Sequence, residues 1–317
     1  MQNTNAPRGP GPADGGLPGS DASSTGGVGQ RPRALFLANP RKRNHPSIPL
    51  VLERLAQAGI AIDPLEHGGD VPTPEQVAER ARSCTLAVVC GGDGTLNRMA
   101  PALLRAGLPV GIIPAGTAND LARTLGVPDD AAAAAEVIIA GRSKTIDLGE
   151  VNGHPYFNVA SLGMTVDLAQ TLTRDLKRRF GRTAYLIAAT RVWLSARPFR
   201  AEISGSEGTF KVRTLQIAVG NGRYYGGGLS VEETATIDDG RLHLYSLEMT
   251  SIWSMLPMLW AFRSGTHGRW ATVRTSTGSA YEIRTRRSRL LNADGELITH
   301  TPCTFRVLPA ALKVLVP

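Results

Sequence analysis

The segment Gly91–Thr95, with sequence GGDGT, has the residue types best suited to chemistry in this chain. It follows the apolar run Leu86–Cys90 and precedes a helical pattern, which predicts strand, turn and helix in that order. Three glycines allow a tight turn whose backbone N–H groups converge on one anion at the positive end of a helix. Asp93 would repel bare phosphate, so we expect a bridging divalent cation. The segment predicts a phosphate cradle, with a plain glycine turn as the alternative.

A second turn of the same kind spans Pro114–Arg123, directly after the apolar run Val110–Ile113. Thr117 is positioned to cap a helix predicted from residue 117 to 125 and to contact phosphate or ribose at the same time. Asn119 and Asp120 add polar groups to the first turn of that helix. Simple capping is the alternative interpretation, and the presence of the first turn weakens it.

These two turns need a scaffold that brings them to one edge. Short apolar runs alternate with helical patterns along the first half of the chain, at residues 34–38, 48–58, 73–81, 86–90, 95–106, 110–113 and 117–125. Such alternation indicates a parallel sheet with crossover helices, and ligands bind at the carboxyl ends of its strands. The sequence therefore predicts an α/β nucleotide-binding domain.

From about Lys144 the pattern becomes mostly β. Alternating apolar residues predict a strand over Val212–Val219, and further short strands are predicted at 242–244, 271–273, 280–283, 304–308 and 312–316. One helix interrupts them, since apolar residues recur every fourth position at Met164, Leu168, Leu172, Leu176 and Phe180. We predict a disordered segment over residues 1–31, the α/β domain over 32–143 and a β-rich, sandwich-like domain over 144–317.

The composition of the chain limits which classes of partner the protein is expected to bind. The 317 residues include 35 Lys and Arg against 27 Asp and Glu, a formal charge of +8, which favours anionic partners. Aromatic residues are only 5%, which argues against a stacked-ring platform for nucleic acid. Three cysteines without a paired motif fit a reducing compartment, and no apolar stretch is long enough to span a bilayer. These features predict a cytoplasmic protein.

The two turns together resemble the diacylglycerol kinase catalytic domain of bacterial lipid kinases. The shared pattern is Gly-Gly-Asp-Gly-Thr-x-Asn followed by Pro-x-Gly-Thr-x-Asn-Asp-x-Ala-Arg, and the resemblance covers about residues 34–317. Sphingosine kinases are similar more distantly, whereas NAD kinases and phosphofructokinases are similar around the first turn only. The resemblance implies transfer of the γ-phosphate of ATP to a lipid hydroxyl, first of all that of diacylglycerol, which gives phosphatidic acid.

The resemblance also implies which residues act. Glu296, in the sequence Asp294-Gly295-Glu296, matches the base that deprotonates the lipid hydroxyl, with Asp93 as the second candidate. A plain β-turn with Asp-Gly at its corner is the alternative interpretation. The implied nucleotide-binding residues are Asn39, Gly91, Gly92, Asp93, Gly94, Thr95, Leu96, Asn97 and Thr117.

A cation site is implied as well, by the similarity of residues 236–242 to the family's divalent-cation element. Its ligands would be the carboxylate of Asp239 and the backbone carbonyls of Thr236 and Arg241, a set of hard oxygens that suits Mg²⁺. Two stretches depart from the family: Val231–Ala235 replaces a Pro-x-Ala element, and Glu66–Val71 replaces a run that contains Thr and Gly-Asp-Ala.

Two segments bear on the membrane. Arg174, Lys177, Arg178, Arg179 and Arg182 would suit anionic headgroups or an ordinary solvated helix end, and residues 252–260 would suit an acyl cleft or the core. We predict peripheral contact with the anionic inner membrane face and no nucleic-acid partner. The alternatives left open are a kinase of a soluble acceptor such as NAD and a nucleotide-binding protein without transfer activity.

Overall fold

Apolar runs in the first half of the chain form buried strands, and the amphipathic segments between them form helices, as predicted. The computed structural model describes residues 31–38, 47–65, 72–164, 166, 196–222, 224–225, 229–230, 236–248 and 273–317. The elements of the first half are β1 (Arg33–Ala38), α1 (Ser47–Gln57), β2 (Ala61–Pro64), α2 (Pro74–Ala81), β3 (Leu86–Gly91), α3 (Asp93–Ala106), β4 (Val110–Pro114), α4 (Asp120–Thr124) and α5 (Ala131–Ala140).

The second half is β-rich. Its described strands are β5 (Ser143–Val151), β6 (His154–Tyr156), β7 (Val159–Gly163), β8 (Phe199–Gly205), β9 (Gly208–Thr214), β10 (Gln216–Gly220), β11 (Tyr224–Tyr225), β12 (Leu229–Ser230), β13 (Leu242–Leu247), β14 (Val273–Gly278), β15 (Ala280–Thr285), β16 (Leu290–Ala293), β17 (Glu296–His300) and β18 (Cys303–Leu315). Among the described residues, none of the helices is both long and apolar enough to cross a membrane.

Two sheets carry the fold. In the larger one, β2, β1, β3 and β4 run parallel, and β18 pairs with β4 at the edge of this parallel part. On the other side of β18 the sheet continues with the antiparallel strands β15, β8 and β9. Strand β5 pairs with β18 off this path. The second sheet has the order β14-β13-β10-β7-β16-β17 and faces the antiparallel part of the first. The predicted α/β part and the predicted β-sandwich are therefore both confirmed.

Helix ends follow local chemistry. Thr73 and Gln76 form a capping box at the start of α2, with Pro74 in the first turn, and Gly107 ends α3 with a φ of 64°. Helix α1 packs on α5, and α2 packs on α3, on the parallel strands that they connect. Ion pairs on these helix pairs are exposed, so packing rather than charge holds the layers together.

Two hydrophobic cores fill the fold. The first lies between the parallel strands and their helices, and the second lies between the two sheets of the sandwich. Strand β18 belongs to both, because Phe305 is fully buried in the second core while Leu312 and Val314 are buried in the first. Loss of a strand that packs in two cores would destabilise both, since burial of each apolar side chain contributes about 1.5–3 kcal/mol to the free energy of unfolding.

Four predicted elements are wrong in detail. The predicted strand Val212–Val219 is two strands, because the chain leaves the first sheet after Thr214 and enters the second at Gln216. The two predicted strands at 304–308 and 312–316 are one strand, β18, with an irregularity where Ala310 has a φ of 50°. The helix predicted over 117–125 is confined to Asp120–Thr124. An alternating pattern does not show where a strand changes sheets.

Several predictions lie outside the described residues. The first is the predicted disordered segment, of which the structure describes Arg31 alone. The others are Asn39, residues 66–71, the four-spaced helix beyond residue 166 with its basic cluster, the stretch 231–235 and the apolar segment 252–260. The boundary between residues 143 and 144 stays a prediction. Residues Pro32–Pro317 form one compact unit.

Candidate active site

The two glycine-bearing turns lie side by side at the carboxyl ends of β3 and β4. Gly91 pairs with Pro114 across these strands, and the Ala115 N–H donates to the Gly91 carbonyl at 3.0 Å. A Cβ added to Gly92 would lie 2.7 Å from the Cα of Gly116, a distance that real contacts do not reach. Glycine is therefore required here because two backbones touch, and the first turn of α3 is left bare for an anion.

Asp93 ties the two turns together. Its carboxylate accepts the backbone N–H groups of Asp120 and Leu121, each at 3.1 Å, and so caps α4 from the neighbouring turn. Thr117 is exposed and is not the cap, so the prediction that it caps this helix is wrong. Asn119 is the N-cap residue, in a left-handed conformation, and its Oδ1 accepts the Gly116 N–H at 2.9 Å.

Glu296 lies against the first turn although it is about two hundred residues away in sequence. Strands β16 and β17 form a hairpin with Asp294 and Gly295 at its corner, and Glu296 is the first residue after it. A Cβ on Gly94 would lie 3.4 Å from Glu296 Oε1. The turn is thus a β-turn, as the alternative interpretation held, and it also places a half-buried carboxylate beside the predicted phosphate cradle.

Asp294 fixes the corner of that hairpin. Its carboxylate accepts the backbone N–H groups of Phe157, Asn158 and Val159 at 2.7–3.0 Å. Burial, together with a smaller effect of the Asp93 charge, raises the pKa of Asp294 to about 6, against the lowering effect of these hydrogen bonds. The hairpin that carries Glu296 is therefore anchored to the loop before β7.

One asparagine joins this hairpin to α3, and a second closes the corner of the hairpin. The buried Asn97 side chain donates from Nδ2 to the Ala293 carbonyl at 3.1 Å, and Asn292 Oδ1 accepts the Gly295 N–H at 3.0 Å. Within the described part of the chain, Asn97 Oδ1 and Asn292 Nδ2 have no hydrogen-bond partner. Sequence reasoning missed Asn292, since an Asn ahead of an Asp-Gly corner gives no separate signal.

The predicted cation site lies in the turn before β13. Asp239 Oδ1 accepts the Arg241 N–H at 2.9 Å, and Oδ2 lies 2.9 Å from His243 Nε2 and 3.4 Å from the Thr236 N. The carboxylate is therefore held inside the turn whose ends are Thr236 and Arg241. One carboxylate with backbone carbonyls is a donor set that fits a hard divalent cation, which would share the carboxylate with His243.

The described residues hold no group of three or more His, Cys, Asp or Glu side chains that could bind a metal. Any cation at the Asp239 turn therefore depends on backbone oxygens. The same turn is anchored by buried Asp147, whose carboxylate accepts the N–H groups of Gly240 and Ala310 at 2.7 Å each. Asp147 was missed from the sequence, because an acid inside a strand pattern does not show which distant backbone it will meet.

The fold combines a parallel sheet, with two glycine-bearing turns at its edge, and a β-sandwich that places the Glu296 carboxylate beside the first of these turns. The diacylglycerol kinase catalytic domain model matches residues 33–151. The model described as the YegS C-terminal NAD kinase beta sandwich-like domain matches residues 158–316. The chain belongs to this family of lipid kinases. Membership of a kinase family implies the use of ATP and, usually, of a divalent metal.

Relatives and solved structures agree with this membership. The chain is 30% identical over 292 residues, 90% of its own length and 96% of the relative's, to a protein of Klebsiella pneumoniae named probable lipid kinase YegS-like. It is 31% identical to a protein of the same name from Pseudomonas aeruginosa, with 84% and 87% coverage. A crystal structure titled as a diacylglycerol kinase, from Bacillus anthracis, matches with a TM-score of 0.73 and 25% identity, covering 90% of this chain and 97% of that one.

Proposed function

We propose that this protein is an ATP-dependent lipid kinase that transfers the γ-phosphate of ATP to a lipid hydroxyl, with diacylglycerol as the first candidate and phosphatidic acid as its product. The observation that carries the proposal is the approach of Glu296 to Gly94, which brings a carboxylate to the phosphate cradle. A protein that only binds nucleotide has no need of a carboxylate there.

In the proposed reaction Glu296 accepts the proton of the lipid hydroxyl while that oxygen attacks the γ-phosphorus. The bond from the γ-phosphorus to the bridging oxygen breaks, and ADP leaves with the electron pair. The N–H groups of the turn Gly91–Thr95, at the start of α3, stabilise charge on the transferring group. Asn39, Leu96, Asn97 and Thr117 stay proposed as nucleotide-binding residues. Asp93 stays the second candidate base.

The implied cation would be Mg²⁺. At the cradle it would neutralise the phosphates of ATP, and Asp93 is the nearest carboxylate in sequence, although both its oxygens already cap α4. At the second site, Asp239 with the carbonyls of Thr236 and Arg241 would hold it in a structural role. The proposed setting is the cytoplasm, with peripheral contact at an anionic membrane face where the acceptor resides.

The direct test is turnover of labelled ATP with a panel of lipids in mixed micelles, beside NAD in buffer. We expect labelled lipid product with diacylglycerol or another lipid alcohol, and none with NAD. Glu296→Gln should lower kcat by at least a hundredfold, because general-base catalysis contributes about 10²–10⁴-fold, while ATP affinity stays unchanged. Phosphorylation of NAD alone would refute the lipid assignment, and full activity of the variant would remove Glu296 from the mechanism.

A further inference from the structure

The outer face of strands β8, β9 and β15 carries a concentrated positive charge. Arg200, Lys211, Arg213, Arg284 and Arg286 line one open groove of about 530 Å³, and Glu202 is the one acid among the described residues of its lining. We call these five residues the basic face. All five are exposed, and the inward-facing residues of the same strands pack into the second core.

Pairing in the sheet puts like charges together. Arg200 lies directly opposite Arg213 in the antiparallel β8–β9 ladder. Like charges in this arrangement destabilise a sheet, so the pair is unfavourable until an anion neutralises it. Among the described residues, Arg200 and Arg213 have no acidic partner, whereas Lys211 lies 3.5 Å from Glu202 and Arg284 lies 2.6 Å from Glu282.

The basic face is separate from the candidate active site. Arg286 follows β15, and the chain then runs along β16 before it reaches the corner at Asp294. A strand of that length spans about 13 Å at 3.3 Å per residue, so the groove lies toward the other end of β16 from Glu296. The charge is therefore not explained by binding of the ATP phosphates.

We propose that the basic face docks the protein on an anionic bilayer. This inference rests on the proposed function, in which the acceptor is a membrane lipid. Three strands about 4.8 Å apart present the guanidinium and ammonium groups on a flat, shallow surface, which suits many headgroups at once. The groove lining contains no aromatic residue, so it lacks the stacking surface that single-stranded nucleic acid uses.

The test measures vesicle binding of the full chain without ATP, so it does not depend on phosphotransfer. Vesicles of phosphatidylcholine alone are compared with vesicles that also contain phosphatidylserine, at rising salt. We expect binding only to the anionic vesicles, weakened by salt. Arg200→Gln with Arg213→Gln should weaken that binding about thirtyfold, from about 1 kcal/mol for each basic residue near the surface.

A matched pair controls for net charge. Arg82→Gln with Arg142→Gln removes two exposed arginines outside the basic face and should bind vesicles like the parent protein. Equal loss in both pairs would overturn the proposal, because overall charge would then suffice. Unchanged vesicle binding by the Arg200→Gln, Arg213→Gln variant would also overturn the proposal. So would a result in which this variant binds a nucleic-acid column less tightly than the parent protein but binds vesicles equally well. Arg284→Gln, as a single variant, should give a smaller loss in the same direction, and circular dichroism verifies that each variant is folded.

Vesicle binding and phosphotransfer can fail independently. Phosphotransfer to an acceptor in uncharged detergent micelles should be unaffected by Arg200→Gln with Arg213→Gln, since neither residue lies in the candidate active site. If the lipid assay fails for the parent protein while charge-specific vesicle binding remains, the proposed function is wrong and the docking surface stands. If turnover is normal and vesicle binding is not selective, the docking surface is wrong alone.

Discussion

At the scale of single residues, Asn97 connects the phosphate cradle to the hairpin that carries Glu296. Its Nδ2 donates to the Ala293 carbonyl across a buried contact, and it lies in the first turns of α3. Family resemblance implies a role in nucleotide binding for this residue. The contact supports a second proposed role, in which Asn97 holds Glu296 at the correct distance from the proposed cradle, and the rate rather than the affinity for ATP would then depend on it.

Asn97→Asp separates the two roles. The change keeps the shape of the side chain but replaces the Nδ2 donor by an oxygen that faces the Ala293 carbonyl. Loss of a buried hydrogen bond costs about 1–3 kcal/mol, so we expect kcat to fall at least about fivefold while the KM for ATP changes little. Steady-state kinetics with ATP and the lipid varied separately measure both. A rise in the KM for ATP with kcat preserved would favour the nucleotide contact instead.

Asp294 predicts a pH dependence of stability. Its pKa is raised to about 6 in the folded protein, from an ordinary value of 3.8, chiefly because it is buried. Below pH 4 both states hold the proton. Between about 4 and 6 the unfolded chain releases it first, so this contribution to the free energy of unfolding falls as pH rises through 6, by roughly 3 kcal/mol. Urea unfolding across pH 4–7 measures this slope.

Asp294→Asn cannot ionise, so the slope between pH 4 and 6 should largely disappear. The amide also places an N–H₂ against one of the backbone donors that Asp294 now accepts, which lowers stability at every pH. Comparison of slopes rather than of absolute stability therefore isolates the ionisation. If the variant keeps the full pH dependence of the parent protein, then the carboxyl of Asp294 is not its source.

The residue types at the site were readable from the sequence, and their contacts were not. The glycines and Asp93 were identified from their place between a strand and a helix. The capping of α4 by Asp93 was not predicted, because it requires knowledge of how closely β3 and β4 bring their turns together. Asp147 was missed for the same reason, since it acts on backbone that is distant in sequence. Asn292 was missed although its bond to the Gly295 N–H is local, because an Asn ahead of an Asp-Gly corner gives no separate signal.

At the scale of elements, β1, β3 and β4 were predicted closely from their apolar runs, and α1–α3 from their amphipathic patterns, whereas the short strand β2 was not predicted. Helix α2 illustrates this: Thr73, Pro74 and Gln76 specify its start by local chemistry alone. Helix α4 was predicted too long, since Thr117 matches a capping residue in type but lies outside the helix that Asp93 caps. Helix α5 is rich in alanine and has no clear polar stripe, so its pattern was not recognised.

The ends of the strands in the sandwich were harder to predict from the sequence. Gln216–Gly220 is buried along its whole length, although its alternating apolar residues predict a strand with one exposed face. The chain changes sheets at Leu215, where the Thr214 hydroxyl donates to the carbonyls of Gln216 and Leu247 at 2.8 Å. The Thr214 hydroxyl thus provides a hydrogen-bond partner for backbone oxygens where the strand pairing of the first sheet ends. The pattern of apolar residues does not indicate this change of sheet.

At the scale of the whole molecule, β18 joins the two cores, and the chain should therefore unfold in one step. Phe305→Ala in the second core and Leu312→Ala in the first should each destabilise the protein, by about 3–5 and 2–5 kcal/mol respectively. We expect each change to lower the midpoint of a single shared transition in differential scanning calorimetry. Two separate transitions, with only one of them shifted by each variant, would contradict this expectation.

The class of fold was predictable from the order of patterns, strand and helix first and strands alone afterwards. The pairing of the last strand was not, because β18 lies more than one hundred and fifty residues from β5, its principal partner. Long-range pairing is set by the fit of whole faces rather than by local sequence. The pattern of residues along a chain cannot distinguish a final strand that closes the sandwich from one that also extends the parallel sheet.

The route of β18 limits how chimeric enzymes can be built from this family. A single crossover near residue 151 would combine the parallel layer of one parent with the last strand of another, and the mismatch would fall on Leu312 and Val314. A graft with two junctions avoids this, because it exchanges only the segment between β6 and β17 and leaves β18 with its native neighbours β4 and β5. Acceptor preference could then be transplanted between parents without disturbing the layer that binds ATP.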